Sequence, residues 1–205
     1  MEIRTFVTTP FSENAYVLSD GGEAMVIDPG EATDELLDAI EGLRVTTLVN
    51  THAHIDHVGG NAEIKRRTGA EFVCHADARE MLASVPVQGR MFGMTVEPSP
   101  DPDRLIGEGD ALQVGSVTLK VVDVPGHAPG HIALVGDGFV ISGDVLFAGS
   151  VGRTDLFGGD TDQLMDSIRT KLLPLPDETV VLSGHGPPTT IGVERESNPF
   201  IHAAR

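Results

Sequence analysis

Three imidazoles and one carboxylate fall within six consecutive positions of this chain. They are His52, His54, Asp56 and His57, in the segment THAHIDHVGG of residues 51–60. Imidazole and carboxylate groups are common ligands of divalent metals such as zinc and iron. In an extended segment the two-residue period would place the first three side chains on one side, and a turn at His57 would redirect its ring. This density of ligands favours a metal site over a chance surface cluster, and one loop could serve two metals.

Three further segments carry histidine or aspartate directly after an apolar stretch. They read PGHAPGH at 125–131, SGD at 142–144 and SGHGP at 183–187, with His127, Asp144 and His185 as candidate ligands. His127 taken by itself is better explained as a structural histidine, but four such segments together favour a metal centre. Because each segment follows a predicted strand, we expect one edge of the fold to collect the ligands.

These side chains predict a site for two divalent ions. Imidazole suits zinc and iron, carboxylates can bridge two ions, and no thiolate belongs to the set. Two ions about 3.5–4 Å apart lower the pKa of a bridging water to about 7, which creates a hydroxide nucleophile without a protein nucleophile. The same ions polarise a scissile carbonyl and stabilise a leaving group that departs as an anion. We expect zinc first, with iron or manganese as alternatives.

The elements that must position these residues follow from apolar patterning and turn residues. Strands are predicted at 3–8, 15–18, 24–27, 45–49, 71–74, 112–114, 117–124, 132–135, 139–141 and 179–182, and helices at 33–40, 61–68, 77–83 and 161–173. Gly59 and Gly60 are expected to permit a tight turn into the helix near Asn61. The segment 86–102, rich in Pro, Gly and Met, is predicted to be a loop. Strands early and late with helices interspersed favour two sheets packed face to face with helices outside.

Composition restricts the function classes. The 205 residues are 40% apolar, which predicts one globular domain over 1–205. Fourteen Lys and Arg against 31 Asp and Glu give a net charge of −17, which disfavours nucleic acid and anionic membranes as partners. No apolar run reaches the ~20 residues that span a bilayer. The start of the chain lacks a signal-peptide pattern, and the single cysteine, Cys74, agrees with a reducing compartment, so we expect a cytoplasmic protein.

The order of these motifs resembles that of the metallo-β-lactamase superfamily over nearly the whole chain. The resemblance implies an α+β fold, a four-layer αβ/βα sandwich with the ligands at one edge. It also implies that Asp144 bridges the two metals and that Asp56 and Asp144 are the catalytic carboxylates. His131 would lie beside the ligands without being one. The implied ligands are His52, His54 and His127 for the first metal and Asp56, His57 and His185 for the second.

Within that superfamily the chain resembles the short glyoxalase II enzymes, the hydroxyacylglutathione hydrolases that lack a C-terminal helical domain. The supporting segments are QGRMFG at 88–93, VGRTD at 151–155 and ERESNPF at 194–200. The resemblance implies hydrolysis of the thioester S-2-hydroxyacylglutathione, such as S-D-lactoylglutathione, to a 2-hydroxy acid and glutathione. Arg153 occupies the place of a basic residue near the glycyl end of the substrate, so we predict that it contacts a carboxylate. The chain departs from the pattern at Ala128, usually Thr, and at Asp155, usually Tyr.

Other functions stay open at this point. The chain also resembles the iron-dependent glutathione persulfide dioxygenases, which share the Gly-Arg-Thr-Asp segment and would bind one iron through His52, His127 and Asp144. The SGHGP segment favours the hydrolase. The acidic balance disfavours a nuclease, and the absent signal pattern disfavours a secreted β-lactamase. A noncatalytic metal-binding module has no physical need for seven ligands. The expected partner is therefore a small-molecule thioester.

Overall fold

Two sheets lie face to face in the computed structural model, which describes residues 1–203. Within that range the first sheet has six strands, which follow one another in space as they do along the chain: β1 (Glu2–Thr8), β2 (Glu13–Asp20), β3 (Glu23–Ile27), β4 (Arg44–Val49), β5 (Glu71–His75) and β6 (Arg104–Ile106). The first three strands pair antiparallel, and β3 through β6 pair parallel. Parallel neighbours need long crossover connections, and helices occupy these connections here.

Eight further strands follow in the described part of the chain: β7 (Ala111–Val114), β8 (Val117–Asp123), β9 (Ile132–Val135), β10 (Phe139–Gly143), β11 (Leu146–Phe147), β12 (Ser150–Val151), β13 (Val180–Ser183) and β14 (Thr189–Thr190). Strands β11 and β12 form a separate ribbon. The others form the second sheet in the order β14-β13-β10-β9-β8-β7. Its pairs are antiparallel except β10 with β13, so these two strands end at the same edge.

Eight α-helices are found in residues 1–203: α1 (Asp34–Ile40), α2 (Ile55–Val58), α3 (Asn61–Thr68), α4 (Arg79–Ala83), α5 (Val85–Met91), α6 (Thr161–Ser167), α7 (Ile191–Ser197) and α8 (Pro199–Ala203). Side-chain caps define several starts. Thr33 accepts a hydrogen bond from the Leu36 amide at α1, and Asp160 accepts one from the Gln163 amide at α6. Such caps satisfy amides that have no partner within the helix.

Buried apolar side chains form three clusters that correspond to three interfaces between layers. The first joins α1, α3, α4 and α5 to the outer face of the first sheet, through residues such as Leu36, Ile64 and Phe72. The second lies between the sheets and includes Leu18 and Leu134. The third joins the second sheet to α6, α7 and α8. Because both faces of each sheet are covered, central strands such as β2 are apolar on both sides. The expected four-layer αβ/βα sandwich is confirmed.

One predicted loop contains a helix. Segment 86–102 was expected to be irregular, but α5 covers its first residues. Pro86 stands in the first turn of α5, where its missing amide leaves no hydrogen bond unmade. Gly89 lies inside the helix, and a Cβ there would come within 3.1 Å of the Met94 carbonyl. The Gln88 side chain of α5 donates to the Ala53 carbonyl at 3.1 Å, so tertiary contacts offset the weak helix propensity of this segment.

Residues 1–203 include no helix with the length and apolar character needed to cross a membrane.

The inter-sheet core yields a stability prediction. Leu134 of β9 lies between Val121 of β8 and Ile141 of β10 and has no exposed surface. Leu134→Ala should lower the free energy of unfolding by about 2–5 kcal/mol, because it removes buried methyl groups and leaves a cavity between two rigid sheets. Urea unfolding of the metal-loaded protein measures it. Leu105→Ala, at a leucine that is 43% exposed, is the matched control and should cost about 0.5 kcal/mol or less. Equal losses in the two variants would contradict this placement of the core.

Candidate metal centre

The ends of four strands meet at one edge of the sandwich and bring together all seven predicted ligands. His52 and His54 follow β4, and Asp56 and His57 lie on α2. His127, Asp144 and His185 follow β8, β10 and β13 respectively. The seven residues come from both sheets and lie at one edge of the fold, as the position of each motif after a strand predicted.

The expected extended conformation from His52 to Asp56 is wrong at its end. Helix α2 begins at Ile55, and the His57 amide donates to the His54 carbonyl. The turn is tight because it packs against the backbone at residues 29–30. A Cβ on Gly59 would lie 2.5 Å from the Gly30 carbonyl oxygen, and one on Gly60 would lie 2.7 Å from that of Pro29. The two glycines are thus required for close backbone approach and not for a positive φ.

The ligand atoms form two groups with one carboxylate between them. Nitrogen atoms of His52, His54 and His127 lie within 4.8 Å of one another, and so do ligand atoms of Asp56, His57 and His185. Asp144 faces both groups. Its Oδ1 is 3.5 Å from His57 Nε2, and its Oδ2 is 3.6 Å from His127 Nε2 and 3.5 Å from His185 Nε2. This arrangement suits two ions that share Asp144.

Unpartnered polar atoms test whether the residues fit such ions. The Nε2 atoms of His52, His54 and His57 and the Oδ1 atom of Asp144 are buried and accept or donate no hydrogen bond. A buried polar atom without a partner costs about 1–3 kcal/mol, so native proteins rarely keep several together. Coordination of divalent ions would satisfy His52, His57 and Asp144, while His54 turns its Nδ1 toward the same group, 2.8 Å from His127 Nε2. The residues present fit a pair of metals, while each individual ligand assignment stays a prediction.

Hydrogen bonds on the far side of the rings orient them toward the site. The Nδ1–H of His57 donates to Asp28 Oδ2 at 3.1 Å, and the Nδ1–H of His127 donates to the Arg153 carbonyl at 2.7 Å. Thr51 Oγ1 donates to Asp28 Oδ2 at 2.6 Å and lies 3.1 Å from His52 Nδ1, from which it can accept. Each partner turns the Nε2 atom of its ring toward the site and raises the basicity of the ring. His127 Nε2 there lies 2.8 Å from His54 Nδ1.

Asp28 also forms a three-residue group with His52 and His57, yet it is not arranged as a ligand. Its Oδ1 accepts from the Thr51 amide at 2.7 Å, and its Oδ2 accepts from the Thr51 hydroxyl and from His57. Both oxygens are therefore used in holding ligands. Sequence reasoning missed this residue because an aspartate 23 positions before Thr51 carries no local signal.

The titration of the buried groups follows from their surroundings. Burial lowers the pKa of His52 and His131 well below the usual value, so both rings are neutral. Burial opposes charge on Asp144 too, but the rings of His57 and His185 together outweigh it and hold the pKa of Asp144 well below its usual range. For His185, burial is outweighed by the carboxylates of Asp144 and Asp56, which raise its pKa to about 10. Metal binding to His185 must therefore displace a proton.

His131 lies directly behind the ligands. Its ring stacks on that of His52 with centroids 4.5 Å apart, and its Nε2 accepts from the Asp144 amide at 3.1 Å. Gly143 leaves room for it, since a Cβ there would come within 2.6 Å of the His131 ring. The role of His131 as a residue beside the ligand set stays a prediction.

Residues of β2 hold the loop that carries His185. The Asn14 side chain donates to the carbonyls of Ser183 and Gly186, both at 2.9 Å, and the Tyr16 hydroxyl donates to Ser183 O at 2.6 Å. The Asn14 amide donates to the Gly184 carbonyl at 2.7 Å. These hydrogen bonds run from the first sheet to the loop after β13 in the second sheet. They fix the position of His185, which lies in that loop and not in the strand.

Arg153 lies at the entrance of the site but already has a carboxylate partner. Its Nε and Nη2 donate to the two oxygens of Asp155 at 2.6 and 2.7 Å. Both side chains are mostly exposed. The substrate contact predicted for Arg153 would therefore compete with Asp155, the residue that departs from the family pattern.

A cleft of about 610 Å³ leads from solvent to the metal centre. Its floor contains His54, Asp56, His127, Asp144 and His185. Its walls are mainly apolar and include aromatic residues that sequence reasoning did not connect with the site, among them Phe11, Phe147 and Phe157. Isolated phenylalanines in separate loops have no spacing that would have identified them.

Comparison with known proteins identifies the family. Residues 8–185 match the family described as the metallo-beta-lactamase superfamily. The chain belongs to the metallo-β-lactamase superfamily. As a member with these histidine and aspartate clusters, it is a metal-dependent hydrolase.

Individual superfamily members are similar over their whole length. Hydroxyacylglutathione hydrolase GloC of Haemophilus influenzae is 38% identical over 210 residues, which cover 99% of each chain. Among solved structures, BLEG-1 B3 metallo-beta-lactamase has a TM-score of 0.90 at 36% identity and covers 98% of this chain and 99% of its own. TTHA1623 in a di-iron-bound form has a TM-score of 0.88 at 37% identity, with coverage of 96% and 99%.

The His185 loop yields a test of the superfamily metal centre. Asn14→Asp removes two hydrogen bonds to the loop and places a carboxylate against the carbonyls of Ser183 and Gly186. Residues that orient a ligand typically contribute 10–100-fold to metal affinity, so we expect one of two ions to bind about 10–100-fold more weakly. Metal analysis during titration with a chelator measures this. Asn198→Asp, at a buried asparagine that donates to Ser150 and Glu194, is the control and should keep both affinities. Unchanged binding in Asn14→Asp would show that the loop needs no such support.

Proposed function

We propose that this chain hydrolyses thioesters and that its substrates are S-2-hydroxyacylglutathiones, for which S-D-lactoylglutathione is the test compound. The observation that carries the proposal is the position of Asp144 between two groups of ligands at the floor of an open cleft. Similarity over the full length to a hydroxyacylglutathione hydrolase supports the choice of substrate. We infer zinc as the resident metal, with iron or manganese as alternatives, since a similar protein has been solved in a di-iron form.

Two divalent ions, when bound, would supply a nucleophilic water and polarise the carbonyl of the thioester. The protein supplies the frame. Asp28 and Thr51 orient two histidine rings, and Asn14 fixes the His185 loop. Asp56, whose side chain is 16% exposed, borders the cleft and is available as a carboxylate that accepts a proton.

The chemistry of the leaving group explains why a thioester suits this cleft. A thiol has a pKa of about 8.5, so it departs as an anion near neutral pH without a dedicated general acid. Among the described residues that line the cleft, there is neither a lysine nor a tyrosine that could protonate a poorer leaving group such as an amine.

The first test is steady-state hydrolysis of S-D-lactoylglutathione by the zinc-loaded protein. We expect turnover that is lost after removal of the metal and restored by zinc. Asp144→Ala should lower kcat/KM by at least about 100-fold, because the variant would lose the carboxylate that faces both groups of ligands, and this loss should exceed that of an orienting partner. Asp137→Ala, at an exposed aspartate in the turn at the opposite end of β10, is the control and should retain full activity. Full activity of Asp144→Ala would refute the assignment, and no turnover by metal-loaded protein would refute the substrate.

A second candidate is oxidation of glutathione persulfide at a single iron. Its three predicted ligands, His52, His127 and Asp144, lie together, with ring centroids of the two histidines 4.9 Å apart. Oxygen consumption by iron-loaded protein with glutathione persulfide would support this candidate. Removal of His185, which the single-iron site does not use, should then leave the activity intact, whereas the hydrolase requires this residue.

A further inference from the structure

Exposed apolar side chains that are not part of the hydrophobic core cluster in the walls of the cleft. Twelve large apolar side chains are exposed in the described part of the chain, and half of them line this one cleft: Phe11, Val87, Met91, Phe92, Leu156 and Phe157. Scattered exposed apolar residues are ordinary, but a contiguous patch around a polar centre marks a binding site. The patch therefore requires an explanation in terms of what enters the cleft.

One wall is built before any ligand arrives. Phe11 and Phe92 contact each other edge to face, with ring centroids 5.2 Å apart and an interplanar angle of 76°. The loop of Phe11 is fixed by backbone bonds, since the Ser12 amide donates to the Thr9 carbonyl at 3.2 Å and the Phe11 amide donates to Thr9 Oγ1. Helix α5 is held by Gln88, whose side-chain amide donates to the Ala53 and Met81 carbonyls. Because these side chains are already in place, binding of an apolar group does not cost the entropy of ordering them.

The part of the cleft lining that residues 150–157 supply offers little to a charged group. This part of the lining contains Arg153, whose Nε and Nη2 already donate hydrogen bonds to the carboxylate of Asp155. No lysine lines the cleft within the described residues. Leu156 and Phe157 follow directly and are 37% and 69% exposed. A substrate group that lies along these walls gains more from apolar contact than from charge.

We propose that the acyl group of the substrate carries a large apolar substituent, aryl or alkyl, that packs against Phe92 and Phe157 while the carbonyl lies over the metal centre. The proposal rests on the proposed thioesterase function and names its acyl class. S-Mandeloylglutathione and S-D-lactoylglutathione form a matched pair, because they share the thiol and the 2-hydroxyacyl carbon and differ only in phenyl against methyl.

The experiment has a binding arm that does not depend on turnover. The dissociation constants of mandelate and lactate for the zinc-loaded protein are measured by calorimetry. Both acids present the same carboxylate and hydroxyl to the metals, so their ratio reports the phenyl group alone. We expect mandelate to bind at least about tenfold more tightly, since burial of an aromatic ring against aromatic neighbours contributes that much. Phe92→Ala and Phe157→Ala should bring the ratio toward one.

The kinetic arm compares kcat/KM for the two thioesters, each normalised by its rate of hydrolysis in alkali to remove intrinsic reactivity. We expect the normalised kcat/KM to be higher for the mandeloyl thioester than for the lactoyl thioester. Phe92→Ala and Phe157→Ala should bring the ratio of the two values toward one. Phe200→Ala, at a phenylalanine of α8 that is 49% exposed and does not line the cleft, is the control and should keep both ratios. Because all three side chains are exposed, the variants should fold, which thermal melting checks.

The outcomes separate the inference from the function on which it rests. Preference for mandelate without hydrolysis of either thioester would refute the thioesterase and retain the apolar subsite. Hydrolysis with equal normalised rates, or ratios that both phenylalanine variants leave unchanged, would overturn the subsite. A change in oligomeric state of Phe92→Ala with an unchanged ratio would also overturn it, because the patch would then serve contact between copies of the chain.

Discussion

The carboxylate of Asp28 is the constraint on which the metal centre depends. It accepts hydrogen bonds from the backbone and side chain of Thr51 and from the ring of His57, so one residue fixes both ends of the ligand-rich loop. Its backbone has a φ of +49°, a conformation that costs a residue other than glycine about 1–3 kcal/mol. The hydrogen bonds it makes in the dry interior offset that strain. Parallel pairing of β3 with β4 places Asp28 beside the loop in the first place.

Packing between the sheets sets the distance between ligands. Two of the three loops that complete the site follow parallel strands, β10 and β13, whose ends coincide at one edge. The first sheet supplies the other ligands from the end of β4, and the inter-sheet cluster around Leu18 and Leu134 holds the two sheets at a fixed separation. Where the loops of the two sheets meet, glycine is required because a side chain would collide with a neighbouring residue. A Cβ on Gly184 would lie 2.1 Å from Asp144 Oδ1, so no larger residue leaves the carboxylate in place.

Sequence reasoning found the parts of the site that have local signals. Histidine and aspartate directly after apolar strands predicted seven residues that the structure brings together and the edge at which they lie, because strand ends follow from patterning along the chain. It failed where long-range contact decides. Helix α2 depends on backbone contact with residues 29–30, and α5 forms around a proline and a glycine that discourage helices locally. Asn14, Tyr16 and Asp28 act across the fold on loops that no spacing connects to them, and Phe11, Phe147 and Phe157 line the cleft from separate segments.

Because the ligands come from both sheets, the stability of the folded protein depends on the concentration of free metal. Ions held by loops of two layers bind the folded chain and not the unfolded one, so the folded state gains about 4 kcal/mol when free metal exceeds the dissociation constant a thousandfold. That amount is a large fraction of the stability of a typical domain. In a cell short of the metal, the chain would lose its catalyst and become more exposed to unfolding and proteolysis by the same event. Abundance of the protein would then follow metal availability without any dedicated sensor.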